Sequence, residues 1–271
     1  MGTNANEPKP SVKNSVKMDL FTKAEKLTDV RARIAEILDH CRKVESPLGY
    51  FAALYTKVAA AIEERVEQGK FDDNERLASL DVHFVNYYIH AMNCAFSGAP
   101  APAHWQLAID AAKKPGTLVL EHLFLAMNAH INYDLSNAVR DSVKPEDMIG
   151  FKGDFLQVNG ILFSLLDDVQ EDVARFVTPL KWYLSIGEKA DDKIISLVMK
   201  QMRNDAFAFA CILALCDARY LEQENAERMA EVVEAGKKIV IHKKWWIKAL
   251  FLFVRLLERG TVTSKIDNLL K

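Results

Sequence analysis

Between residues 126 and 139 the chain reads AMNAHINYDLSNAV, and together with the EHLFL just before it this sets His122, Asn128, His130, Asn132 and Asp134 among Leu, Phe, Ala, Met and Ile. Polar groups lose water on burial and need partners to offset the loss. On a helix of about 100° per residue, His122, Ala126, His130 and Asp134 form one drifting stripe, with His130 and Asp134 direct i, i+4 neighbours. Glu121, Asn128 and Asn132 form a second stripe on roughly the opposite side, and Leu120, Leu123, Phe124, Met127 and Ile131 fill much of the rest. A surface helix segregates its polar residues to one face. This one does not, so it is predicted to be central, with packed neighbours on most sides.

The remaining chain supports an all-α reading. Of 271 residues, 50% are hydrophobic, enough for a sizeable core, while Gly is low at 11 and Pro at 8. No run alternates apolar and polar residues as a half-buried strand would. Helices are expected at about 27–44, 47–68, 72–96, 102–113, 117–142, 151–177 and 190–222, the last with a broken continuation to about 235. Ser46-Pro47 supplies an N-cap and a first-turn Pro, Asp72 with Glu75 resembles a capping box, and Gly98, Pro100 and Pro102 close the third helix. HKKWWIKALFLFVRLLERG (242–260) reads as an amphipathic helix, with a short helix after it. The expected architecture is one multi-helix bundle of about eight to ten helices over residues 23–271, behind a disordered leader at 1–22.

Composition excludes some functions. A net charge of -2 gives no basic surface for nucleic acid. No window is apolar enough to span a membrane, and the N-terminus lacks the apolar core of a secretory signal. Cys41, Cys94, Cys211 and Cys216 form no CxxC pair, so they read as reduced thiols of a cytoplasmic protein, with Cys94, Cys211 and Cys216 as core filler.

Several constellations are candidates for chemistry. His130 and Asp134 have the spacing of a metal-ligand pair, or of a base and its orienting carboxylate. The segment lacks the ExxH pairs of di-iron bundles and the HExxH of metalloproteases. Asp81 and Tyr88 fall among core-type residues of the third helix, whose other face carries His83, Tyr87, His90 and Cys94. LLDDVQEDV (165–173) resembles a metal–diphosphate motif, but Asp167, Asp168, Glu171 and Asp172 gather opposite the leucines as a solvated face does. The same wheel puts Asn159 and Gln170 on the buried side. Arg203 enters an apolar helix and is expected to pair with a buried carboxylate, Asp134 or Asp81. Lys243, Lys244, Trp245, Trp246 and Lys248 suit a docking helix with snorkelling lysines better than a membrane-surface helix.

GYFAALYTKV (49–58), GKFDDNERLASLDVHFVNYYIHA (69–91) and HLFLAMNAHINYDL (122–135), continued by DFLQVNGILFSLLDDVQ (154–170) and RNDAF (203–207), resemble a family of helical bacterial proteins of unknown function. The likeness runs from about residue 27 to the C-terminus. It implies that Asp72, Asp73, Asp81, Asn86, Tyr88, His122, Asn128, His130, Asn132, Asp134, Asn159 and Arg203 occupy motif positions. This chain has Tyr87, Asn204 and Phe207 where the family pattern usually carries Arg, Asp and Trp.

Two functions follow as expectations. One is an enzyme, hydrolase-like and using a divalent metal, with His130, Asp134, Asn128 and Asn132 as its catalytic group and His122, Asp81, Tyr88, Asn159 and Arg203 binding a small-molecule or lipid-like ligand. Its pocket would be walled by the helices at 72–97, 117–142, 151–177 and 190–222, with His130 and Asp134 as metal ligands; zinc, iron and manganese all suit His plus carboxylate. A version resembling the helical zinc phospholipases would need a second HxxxD/E motif, which is missing. The alternative is a non-catalytic helical protein whose cluster is a structural network and which binds an apolar ligand, a membrane surface or a protein partner.

Overall fold

A computed structural model of the chain describes residues 19–165, 190–240, 255 and 258–271, with 190–196 described by backbone only. Helix α1 (Leu27–Lys43) leads to α2 (Gly49–Glu67), α3 (Asn74–Ser97) and α4 (Ala103–Ala112). Then α5 (Val119–Ala129) runs through a π-helical turn (His130–Asp134) straight into α6 (Leu135–Ser142). A 3₁₀ turn (Pro145–Asp147) precedes α7 (Met148–Ser164), and α8 (Ala190–Leu215), α9 (Leu221–Val240) and α10 (Val262–Leu269) complete the described elements. Among the described residues there is no strand, and no helix is long and apolar enough to cross a membrane. The fold is all-α.

Helix ends follow the local chemistry, with one shift from the sequence reading. The cap of α3 is Asp73, whose side chain accepts from Arg76 N at 2.9 Å, rather than Asp72. The reason is tertiary. Buried Asp154 on α7 accepts the backbone N–H groups of Asp72 and Asp73, each at 2.8 Å, and so fixes the approach to the helix. At the other end Gly98 takes φ 74°, a left-handed cap that a side chain would strain.

Two apolar clusters meet along the central helix. Ile34, Ala52, Tyr88, Trp105, Leu123, Ala126 and Ala129 belong to the first, which α1–α5 and α10 enclose. Ile131, Leu135, Ala138, Val139, Phe151, Phe155 and Phe207 belong to the second, built on α6, α7 and α8. The centre of the molecule is therefore α5, the π turn and α6, as the scattered polar residues predicted, and the π turn is the seam between the clusters. Of the three cysteines expected in the core, Cys94 is buried, Cys211 is half-buried against the second cluster, and Cys216, just past α8, is half-buried; Cys41 is buried as well.

Residues 1–18 lie outside the described set, but the rest of the span read as a leader does not hang free. Phe21 is buried, and its backbone N–H and C=O pair with the Asn93 side chain at 2.8 Å each. Ala24 pairs in the same way with Asn86, at 2.8 and 2.9 Å. Two amides seven residues apart on α3 thus substitute for a neighbouring strand and peg an extended segment.

At Gly49 on α2, an added Cβ would lie 2.8 Å from Cys41 Cβ and 2.5 Å from Ile266 Cδ1. Neither α1 nor α10 can retreat without opening the core. Gly49→Ala is expected to lose about 1–3 kcal/mol through overpacking, outweighing the ~1 kcal/mol helix-propensity gain, in urea unfolding.

Candidate functional site

The π turn builds the site. Leu135 N–H donates to His130 O, five residues back, so the turn holds one more residue than an α turn. That insertion re-aims everything after it, and π turns inside α-helices occur frequently at functional sites. A single uninterrupted wheel over 117–142 is corrected accordingly. His130 and Asp134 bound the turn and face one another, His130 Nδ1 lying 3.1 Å from Asp134 Oδ2.

Asp134 is 1% exposed and accepts three donors. Besides His130, Trp105 Nε1 donates to Oδ2 at 2.8 Å and His104 Nε2 reaches Oδ1 at 2.7 Å. Helix α4 is thereby tied to the π turn. Burial pushes the Asp134 carboxyl up, but the hydrogen bonds from His104 and His130 outweigh it and hold the pKa below the usual value. His130 is pushed the other way: burial lowers its pKa, and the attraction of Asp134 does not fully compensate. The pair is thus an ionised carboxylate beside a neutral imidazole. With Nδ1–H donated to Asp134, His130 Nε2 carries the free lone pair.

That Nε2 is buried and has no hydrogen-bond partner among the described residues. The same holds for Tyr55 Oη, Tyr88 Oη and Asp81 Oδ2. The His130, Tyr55 and Tyr88 rings are neighbours, and the Asp81 carboxylate lies near Tyr55. The His130 ring centroid lies 5.0 Å from Tyr55 and 5.9 Å from Tyr88, and the two tyrosine rings are 5.7 Å apart. Phe84 stacks flat on His130 at 3.6 Å between centroids. Burial, then the nearby carboxylate of Asp81, holds the Tyr55 hydroxyl far above its usual pKa; burial does the same for Tyr88. Burial, reinforced by Glu63, pushes the Asp81 carboxyl up to about 7. Near neutral pH the cluster therefore holds two phenols, a neutral imidazole and a carboxyl close to its titration point.

Other sequence candidates fall elsewhere. Asn128 and Asn132 pair with each other at 3.0 Å, and Asn128 donates to Val232 O at 2.9 Å, so they dock α9 instead of joining His130. Among the described residues Arg203 pairs with no carboxylate: it donates to Asn159 Oδ1 at 2.7 Å and Phe155 O at 3.0 Å and lies over the Phe155 ring. These bonds go to α7 and not to Asp134 or Asp81. His122, two turns before His130, faces Tyr50. On α3, Tyr87 donates to Asp141 at 2.7 Å. Residues 166–173 of the acidic motif, Gln170 among them, and Lys243–Lys248 lie outside the described residues.

His130 and Asp134 do not present a shared face to a cation, since both Asp134 oxygens are taken by protein donors. Among the described residues no group of three or more His, Cys, Asp or Glu could hold a metal ion. Among the described residues, the partners of the site come from α2, α3 and α4, not from those of the helices expected at 151–177 and 190–222. Sequence reasoning missed His104, Trp105 and Tyr55. AHWQLAIDAA (103–112) carried the signal for two of them: a His and a Trp, each with a polar tip, side by side in an apolar helix.

The profile of a family of unknown function, DUF5995, matches residues 27–242. The chain belongs to that family. No curated protein and no solved structure matches it. The DUF5995 match takes in Asp134 and all three of its donors together with Tyr55, Asp81 and Tyr88, whereas α10 lies beyond it.

Asp134→Asn removes the charge that three donors address and is expected to cost about 3–5 kcal/mol, read by chemical denaturation. Asp81 behaves oppositely. Its raised pKa of about 7 means the folded state keeps a proton that the unfolded state releases above pH ~4. Its contribution therefore declines as pH rises from ~4 to 7. Relative to wild type, Asp81→Asn should gain up to ~1.4 kcal/mol per pH unit across that window. A difference independent of pH would show that Asp81 titrates normally.

Proposed function

We propose that this chain is an enzyme in which His130 exchanges a proton with a small molecule, held for the task by Asp134. The observation that carries this is the buried, unpartnered Nε2 of an imidazole whose other nitrogen is bound to a carboxylate. Asp134 fixes the tautomer and orientation and would stabilise the imidazolium once Nε2 has taken a proton. The Tyr55 and Tyr88 hydroxyls are the donors available to negative charge developing on the substrate. Asp81, near its titration point at neutral pH, is the group best suited to hand over or receive a second proton. Four desolvated groups without partners are a standing cost to the fold, and such costs gather at sites whose chemistry needs them.

A non-catalytic helical protein is the competing reading, with its polar groups serving structure and its function lying in an apolar ligand, a membrane surface or a protein partner. It draws on the hydrogen-bond partners that Asp134, Asn128, Asn159 and Arg203 find between helices.

The test is conversion of a pooled metabolite mixture followed by mass spectrometry, wild type beside His130→Gln. One mass is expected to be consumed by wild type and at least ~10²-fold more slowly by the variant, the usual contribution of a general base. Identical product spectra would sink the enzymatic reading. Tyr55→Phe and Tyr88→Phe provide a structural counterpart: each removes a buried unpaired hydroxyl, so each should melt at or above the wild-type temperature. A loss exceeding ~1 kcal/mol in both would mean that the hydroxyls hold the fold together.

A further inference from the structure

A crevice runs inward between α2, α3, α4 and α5, with room as it stands for about one water molecule. Leu48, Phe51, Ala126 and the Trp105 ring supply apolar wall, the indole N–H being held by Asp134, and Tyr88 and His122 are the lining residues with polar side-chain atoms left over. Three of these, Phe51, Tyr88 and Trp105, also surround His130, with ring centroids 5.5, 5.9 and 6.0 Å from it. A single layer of rings thus separates the crevice from the His130–Asp134 pair. Tyr88 is fully buried with its hydroxyl unpartnered, and His122, 6% exposed, makes no hydrogen bond among the described residues. Two buried polar side chains thus flank one apolar slot.

We propose that this crevice is the way in to His130 and that it takes a compact, uncharged molecule. Its hydrogen-bonding group would meet Tyr88 and His122, and its apolar part would lie against Leu48, Phe51 and Ala126. The inference rests on the proton-transfer reading of His130 and adds the class of ligand. Among the described residues no Asp, Glu, Lys or Arg lines the slot, so an ion entering it would lose its hydration with nothing there to replace it, a cost of several kcal/mol or more. A neutral group loses much less and recovers hydrogen bonds from a phenol and an imidazole. Burial, and secondarily Lys265, pushes the His122 pKa down to about 4, so at neutral pH this imidazole brings no charge of its own.

The test uses the full chain with ¹³C,¹⁵N-labelled histidine and three planar probes of one shape: acetamide, acetate and acetamidinium. With four heavy atoms, millimolar dissociation constants are the realistic scale. Acetamide is expected to shift the His122 ring resonances saturably, and the two ions to bind at least tenfold more weakly. Ala126→Leu, which fills the slot, should weaken acetamide at least tenfold, with Ala126→Val as the milder filling should Leu fail to fold. Ions binding as well as acetamide would overturn the uncharged class. Acetamide leaving His122 unmoved, or binding the filled variants unchanged, would overturn the crevice itself. The proton-transfer reading stands or falls separately: acetamide binding at His122, alongside identical wild-type and His130→Gln product spectra, would leave the crevice a binding slot and remove the chemistry.

Discussion

The Asp134 carboxylate accepts from His104, Trp105 and His130 inside a shell of aromatic rings. It ties α4 to the central helix and sets the geometry of the site. A buried carboxylate is tolerable only when its oxygens are filled, and here they are filled by donors from α4 and from its own π turn. The same bonds that satisfy the charge fix where α4 crosses α5 and which tautomer His130 adopts. Fold and site therefore share one electrostatic cause.

The π turn is where that cause becomes geometry. Before it, Ala126 and Ala129 face the first apolar cluster; Ile131 within it and Leu135, Ala138 and Val139 after it face the second. One extra residue in a turn lets a single helix serve two cores, and it leaves His130 and Asp134 at their junction. The polar groups then divide into two kinds. Asn86, Asn93, Asn128, Asn159, Asp154 and Arg203 are all paired, and each pegs one segment to another. Tyr55, Tyr88, Asp81 and the outer nitrogen of His130 are buried and unpaired. The first kind is what a fold needs for specificity. The second is what a fold would discard if nothing but stability were at stake.

Much of this was legible beforehand in particular residues. The scattering of His130, Asn132 and Asp134 among apolar neighbours marked a central helix, and the i, i+4 spacing made His130 and Asp134 partners. The same wheel set Asn128 and Asn132 opposite His130, but only the packing of α9 on that side showed that they serve docking instead of joining His130 in one catalytic group. Nor could the wheel show Arg203 choosing Asn159 and a backbone carbonyl over Asp134, since that depends on α8 lying against α7. His104 and Trp105 escaped notice because their significance exists only with Asp134 in front of them.

Composition and apolar periodicity, by themselves, determined that this chain is all-α, roughly where its helices run, and that the 122–134 segment lies inside. Those are local matters, governed by backbone propensity and by which faces must leave water. The tertiary structure alone decided which buried polar groups found partners. A hydrogen bond between helices distant in sequence needs a position and a direction, and both are set only when the helices pack. That pairing fills Asp134, docks Asn128 on α9 and closes Arg203 against α7. It leaves His130 with one nitrogen free.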